Sequence, residues 1–231
     1  MTSAPPGTAS THALRLTRVT FEYARGFSIH IPDLQVNAGE QVLLAGSSGS
    51  GKSTLLHLIA GLEDVNSGEI HMQGSDFTRL RGAARDTFRG RHIGMIFQTL
   101  NLLQGFTARE NVMLALMLGG SSQLEQSQRA ESVLAQLGIT EPHAMIETLS
   151  VGQQQRVAVA RAVAGRPSLV LADEPTASLD PENARNTIAL IQEAATRAGA
   201  ALIVTSHDPL LRSSFSRVID VSEFTSKRAA P

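Results

Sequence analysis

One stretch, Gly46-Ser47-Ser48-Gly49-Ser50-Gly51-Lys52-Ser53, constrains this chain more than any other. It fits G-x-x-x-x-G-K-[S/T] at every fixed position. Before it runs Gln41-Val42-Leu43-Leu44-Ala45, apolar and long enough for one buried strand. After it, 54–60 predicts a helix stopped by Gly61. Glycines 46, 49 and 51 let the loop curl so that backbone N–H groups, those of Ser47, Ser48, Ser50 and Thr54 among them, converge on an anion. The helix start adds its positive dipole end. In that setting Lys52 reaches the β- and γ-phosphates of a nucleoside triphosphate, and the Ser53 hydroxyl is a ligand for Mg²⁺.

The chain has 231 residues, enough for one α/β domain with a subdomain inserted. A hydrophobic share of 42% suits a globular protein, and a net charge of −1 gives no global signature for nucleic acid. There is no cysteine, which excludes disulfides and thiolate metal sites and suits a reducing cytosol. The apolar run 112–118 falls short of the ~20 residues a membrane span needs, so membrane association is expected only through a partner. Residues 1–11 lack the pattern of a signal peptide and, like 223–231, are expected to be loose tails.

Alternating apolar residues predict a first strand around Leu14–Phe21 and a second from Phe27 to Val36. Between them stands Tyr23, the only tyrosine; it is either a strand-end aromatic or a platform on which a purine stacks. Stacking needs the ring, so its hydroxyl is expected to be dispensable. Residues 69–74 read as an edge strand. The segment 83–91 reads as a short basic helix whose arginines form a solvated face. Residues 93–97 read as a buried strand ending at Gln98. From 98 to 167 the pattern is helical, with Ser122-x-x-Glu125 as a capping box. Strands resume at 169–172, 201–205 and 217–221; a helix begins at Asp180-Pro181, and a short one spans 208–215.

Further residues supply hydrolytic chemistry. Asp173 ends an apolar strand and can hold a Mg²⁺ shell; Glu174 beside it can accept a proton from water. His207 and Gln98 also follow strands, the first placed to donate to a γ-phosphate and the second to orient water or touch the metal. His57 and His71 lie inside elements and read as structural. Ser150 and Gly152 open a second anion-ready helix start within Leu149-Ser150-Val151-Gly152-Gln153.

As an ordered set these stretches resemble the ATP-binding-cassette ATPases over about 13–222. GSSGSGKS resembles their Walker A, Gln98 their Q-loop, LSVGQ their signature, and LVLADEP their Walker B with Glu174 catalytic. Ser178-Leu179-Asp180 resembles the D-loop, His207 the switch histidine, and Tyr23 the adenine-stacking aromatic. Val151 departs from the glycine usual in the signature. The resemblance implies a P-loop (RecA-like) core with a mainly parallel sheet, an N-terminal antiparallel β subdomain and an inserted α-helical subdomain. It further implies ATP and Mg²⁺ as ligands and a homodimer in which Ser150, Gly152, Gln153 and Asp180 complete the partner's nucleotide site. A separate transmembrane permease is implied too, with the ATPase peripheral on the inner face of the cell membrane. GSSGSGKSTLLHLIAGLE and QQQRVAVARA look most like the lipoprotein-releasing, macrolide-exporting and cell-division group. A regulatory cassette that moves a membrane partner without transport is the alternative. Leu100, Leu102, Leu103 and Phe106 are either the permease contact or core of the insert.

Overall fold

A computed structural model describes residues 12–23, 26–119 and 122–227; the expected tail at 1–11 lies outside them. The chain order is β1 (His12–Glu22), β2 (Phe27–Asn37), β3 (Gln41–Ala45), α1 (Lys52–Ile59), β4 (Ser67–Met72), β5 (Ser75–Asp76), α2 (Gly82–His92) and β6 (Ile93–Ile96). It continues through α3 (Ala108–Leu118), α4 (Gln123–Gln136), α5 (Val151–Val163), β7 (Leu169–Asp173), α6 (Pro181–Ala198), β8 (Ala201–Ser206), β9 (Arg217–Asp220) and β10 (Thr225–Lys227). Two sheets form, one in the order β10-β2-β1-β4-β5 and the other β6-β7-β8-β3-β9. The first is antiparallel and the second parallel throughout.

The parallel sheet is covered on both faces, which is why its strands read as unbroken apolar runs. Alternate residues divide between two cores. Val42, Leu44, Leu169, Leu171 and Ile203 pack with α1 and the antiparallel sheet. Leu43, Val170, Ala172, Leu202 and Val204 pack with the helices on the other side. Helix α6 meets that side through Ala184, Ile188, Ile191 and Ala195. Helices α3, α4 and α5 stand between β6 and β7 in the chain and share a core through Val112, Leu116, Ala130, Leu134 and Val157.

The structure differs from the sequence expectations in three places. Residues 69–74 do not form an edge strand: β4 lies between β1 and β5. Gln73 and Gly74, both at positive φ (49° and 74°), make the tight turn that returns the chain as β5. The 208–215 helix is a 3-10 segment, Pro209–Ser214, capped by the Asp208 carboxylate. Residues 223–227 are not tail. Strand β10 pairs Thr225, Ser226 and Lys227 with Ile29, Ser28 and Phe27, because β2 has an open edge opposite β1. A strand so short has no period to read in the sequence.

Candidate active site

The carboxyl ends of parallel strands are where such sheets hold ligands. Here β6, β7, β8 and β3 lie side by side, so that Gln98, Asp173 with Glu174, His207 and the loop 46–51 gather along one edge. A cleft of about 480 Å³ is lined there by Tyr23, Phe27, Ser48 to Thr54 in part, Gln98, Glu174 and His207.

The loop is shaped for an anion. Helices α3, α4, α5 and α6 each carry a side-chain cap, from Thr107, Ser122, Ser150 and Asp180, whereas α1 starts at Gly51 with none. Its first N–H groups therefore remain available. Gly51 has a φ of 96° and sits so close to Phe27 that a Cβ would lie 2.4 Å from the ring. Only glycine satisfies both constraints. The Ser50 hydroxyl oxygen is buried without a hydrogen-bond partner, a polar atom that a phosphate oxygen would satisfy.

Lys52 is 4% exposed and uses all three ammonium protons. Its Nζ donates to the Gly46 and Ser47 carbonyls (2.9 and 3.0 Å) and pairs with Glu174 Oε1 at 3.1 Å. The other oxygen, Oε2, lies 2.9 Å from His207 Nδ1. Glu174 is itself held at φ 45°, with its N–H donating to Thr205 Oγ1 at 2.9 Å. Thr205 Oγ1 donates in turn to Asp173 Oδ1 (2.7 Å), which also accepts from Ser53 Oγ at 3.0 Å. A hydroxyl and a carboxylate in contact are the hard oxygen donors that suit Mg²⁺, so the residues present fit the ion.

Tyr23 is 43% exposed beside the loop. Its ring meets Phe21 edge to face at 4.7 Å, and its hydroxyl donates to both oxygens of Glu63 at 2.9 Å. The hydroxyl is therefore not idle. Burial first, then the Glu63 carboxylate, pushes the phenol pKa up, so it remains a donor at neutral pH.

The signature residues and Asp180 stand apart from the cleft. Ser150 caps α5: its Oγ accepts from the Gln153 N–H, and the Gln153 side chain accepts from the Ser150 N–H at 2.9 Å. Ser150, Val151, Gly152 and Gln153 are all exposed and do not line the phosphate cleft. Asp180 caps α6, accepting from the Glu182 and Asn183 N–H groups; it does not line the cleft either. His207 Nδ1 faces Glu174, so the ring must release that contact or take a second proton before it donates to a phosphate. Leu102 is buried, while Leu103 and Phe106 are 39% and 46% exposed, so the four apolar residues after Gln98 divide between core and surface.

Two residues that matter here carried no signal in the sequence. Thr205, fully buried, organises Asp173 and Glu174 from inside an apolar strand. Arg161 on α5 donates to the carbonyls of Leu100 (2.6 Å) and Asn101 (2.5 Å), both at positive φ, and so holds the turn after Gln98. The expected basic face is internally paired: Arg79 with Asp76 and Arg85 with Asp64, each at 2.7 Å, and Arg89 with Asp86.

A phosphate loop feeding an uncapped helix, with a lysine, a strand-end Asp-Glu and a histidine converging on it, defines a P-loop nucleoside triphosphatase. The ABC transporter family model matches residues 29–177. Two relatives are lipoprotein-releasing system ATP-binding proteins LolD, from Chromohalobacter salexigens and Anaeromyxobacter dehalogenans. They are 42% and 41% identical, over 83% and 92% of this chain and 81% and 91% of theirs. The methionine import ATP-binding protein MetN of Rhizobium etli is 40% identical over 88% of this chain and 56% of its own. A dimeric post-hydrolysis structure of the ATP-binding cassette MJ0796 with ADP and Pi superposes at a TM-score of 0.73. It is 31% identical, covering 94% of this chain and all of that one. The chain belongs to the ABC transporter family and is an ATP-binding ATPase of that family. No helix among the described residues is long and apolar enough to cross a membrane.

Proposed function

We propose that the chain binds ATP with its phosphates in the loop 46–53 and its base on Tyr23, and that Glu174 accepts the proton of the attacking water. The observation that carries this reading is the contact of Glu174 with both Lys52 and His207 above the Ser53–Asp173 pair. Each of the three Lys52 ammonium protons has an acceptor. Of its three acceptors the Glu174 carboxylate is the exchangeable one, since the other two are carbonyls of the loop itself. A γ-phosphate oxygen accepting that hydrogen bond leaves the Glu174 carboxylate without its cation and free to accept a proton from water, with His207 still beside it. Mg²⁺, held by Ser53, Asp173 and Gln98, would neutralise charge on the phosphates. Ser150, Gly152, Gln153 and Asp180, exposed and remote from the cleft in one chain, would complete the site of a second copy.

The work of closure is delivered to a membrane permease of the lipoprotein-releasing type, which places the ATPase on the cytoplasmic face of the membrane. The identities to the two LolD proteins support this assignment, and the exposed Leu103 and Phe106 offer an apolar contact for the permease. Co-purification of the chain with such a permease, followed by ATP-dependent release of a lipid-anchored protein from proteoliposomes, tests it. Stimulated ATP turnover without release would favour the regulatory alternative.

A further inference from the structure

Both oxygens of Glu63 accept the Tyr23 hydroxyl, 2.9 Å each. Glu63 follows directly on α1, the helix that Lys52 opens. The intervening turn is closed by the Gly61 N–H on the Leu58 carbonyl (3.0 Å) and the Leu62 N–H on the His57 carbonyl (2.9 Å). His57, on the same helix, lies 3.8 Å from the Glu63 carboxylate. The phosphate-binding lysine and Glu63 are thus the two ends of one short rigid body. Tyr23 belongs to another, the antiparallel sheet, where its N–H donates to the Phe27 carbonyl at 2.9 Å and Phe21 abuts its ring. The hydroxyl contact with Glu63 joins the two bodies, beside a side-chain contact of Tyr23 with Thr54 on α1.

From this geometry we infer that Glu63 is a positioning residue: its carboxylate fixes the Tyr23 ring relative to α1, so that base platform and phosphate cradle keep a single spacing. The inference rests on the reading of Tyr23 as the base platform. The two carboxylate oxygens share the one hydroxyl proton, which pins the far end of the ring and restricts its swing. Fixing the ring before ATP arrives removes an ordering cost from binding. Glu63 does not line the phosphate cleft, so its effect should depend on the base.

Equilibrium titration with labelled ATP, and competition by inorganic tripolyphosphate, which has no base, separate these roles. Tyr23→Phe and Glu63→Ala should each weaken ATP about 3- to 10-fold, as loss of one hydrogen bond would. Glu63→Gln, whose amide oxygen still accepts, should lose less. The double variant Tyr23→Phe/Glu63→Ala should bind ATP no more weakly than either single one. Tripolyphosphate should bind all of them equally. Wild-type ATP affinity in Glu63→Ala overturns the proposal. So does a parallel loss for tripolyphosphate, which would mark a general structural defect, or a fully additive double variant, which would place Glu63 on the nucleotide itself. Tyr23→Ala keeps the two readings apart. If it binds ATP normally, the platform reading fails and the proposal with it. If it loses affinity while Glu63→Ala does not, the proposal alone fails.

Discussion

Lys52 and Glu174 form an ion pair whose side chains are 4% and 11% exposed. Burying such a pair costs desolvation that its own attraction scarcely offsets, so its value lies in being exchangeable. On the reading proposed above, phosphate replaces the carboxylate on Lys52 without leaving the cation unpaired. Glu174→Gln keeps the shape and the Lys52 contact through its amide oxygen but cannot accept a proton. ATP binding should persist while steady-state turnover falls by roughly 10²- to 10⁴-fold; turnover within a factor of two of wild type would remove Glu174 from the role of base. Thr205 is the support behind it, one hydroxyl serving the Asp173 carboxylate and the Glu174 N–H. Thr205→Val preserves volume and leaves that buried N–H unpaired. It should destabilise the fold by about 1–3 kcal/mol in denaturant titration and lower turnover as well. Thr205 could not be read from the sequence because a threonine inside Ala-Leu-Ile-Val-Thr-Ser fits a strand equally well without any role. Asp173 and Glu174 stood out in the sequence because two acids ending an apolar strand behind a phosphate loop suit metal and proton chemistry better than a plain turn.

Helix α5 connects three parts of the site. Ser150 caps its start, Gln155 Nε2 reaches the Pro175 carbonyl just after Glu174 at 3.4 Å, and Arg161 grips the turn after Gln98. Leu100 and Asn101 both have positive φ, a conformation that costs non-glycine residues energy and persists only when held. Arg161→Lys loses the planar fork that serves both carbonyls. It should lower the melting temperature and reduce ATP turnover, whereas an unchanged melting temperature would show that the turn holds itself. Helix α6 depends on Asp180, whose carboxyl is held below its ordinary value, first by the Asn183 N–H and then by the Asn183 side chain. A depressed folded-state pKa gives stability that is complete above the unfolded value and lost as pH falls through the folded one. Below about pH 4, the melting temperature of the wild type should therefore fall faster than that of Asp180→Asn, which caps without titrating. Equal slopes would contradict the cap's contribution. At this scale the caps of α4 and α6 were legible from Ser122-x-x-Glu125 and Asp180-Pro181, whereas the Thr107–Glu110 box of α3 emerges only in the fold. Strands β5 and β10 were not, since segments of two and three residues are fixed by the neighbours they pair with.

In the whole molecule the phosphate loop lies where the two cores meet, with α1 packed against the antiparallel sheet and α5 and α6 on the opposite side of the parallel one. That arrangement puts Tyr23, Lys52 and Glu174 on one cleft and leaves Ser150 and Gly152 exposed elsewhere. On the reading proposed above, a single chain binds ATP and a second copy closes its signature over it. The central claim is that the signature acts on the nucleotide of a second copy. Gly152 gives a clean way to challenge it, because a Cβ added there meets nothing within 4 Å. Gly152→Arg should fold normally with the Ser150 cap intact, while its bulk and charge obstruct a partner. The decisive measurement is the ATP affinity of monomeric Gly152→Arg, by titration with labelled ATP, set beside its steady-state turnover. Wild-type affinity with turnover abolished is the expected result; affinity falling in step with turnover would place the signature on the chain's own nucleotide and contradict the two-copy site.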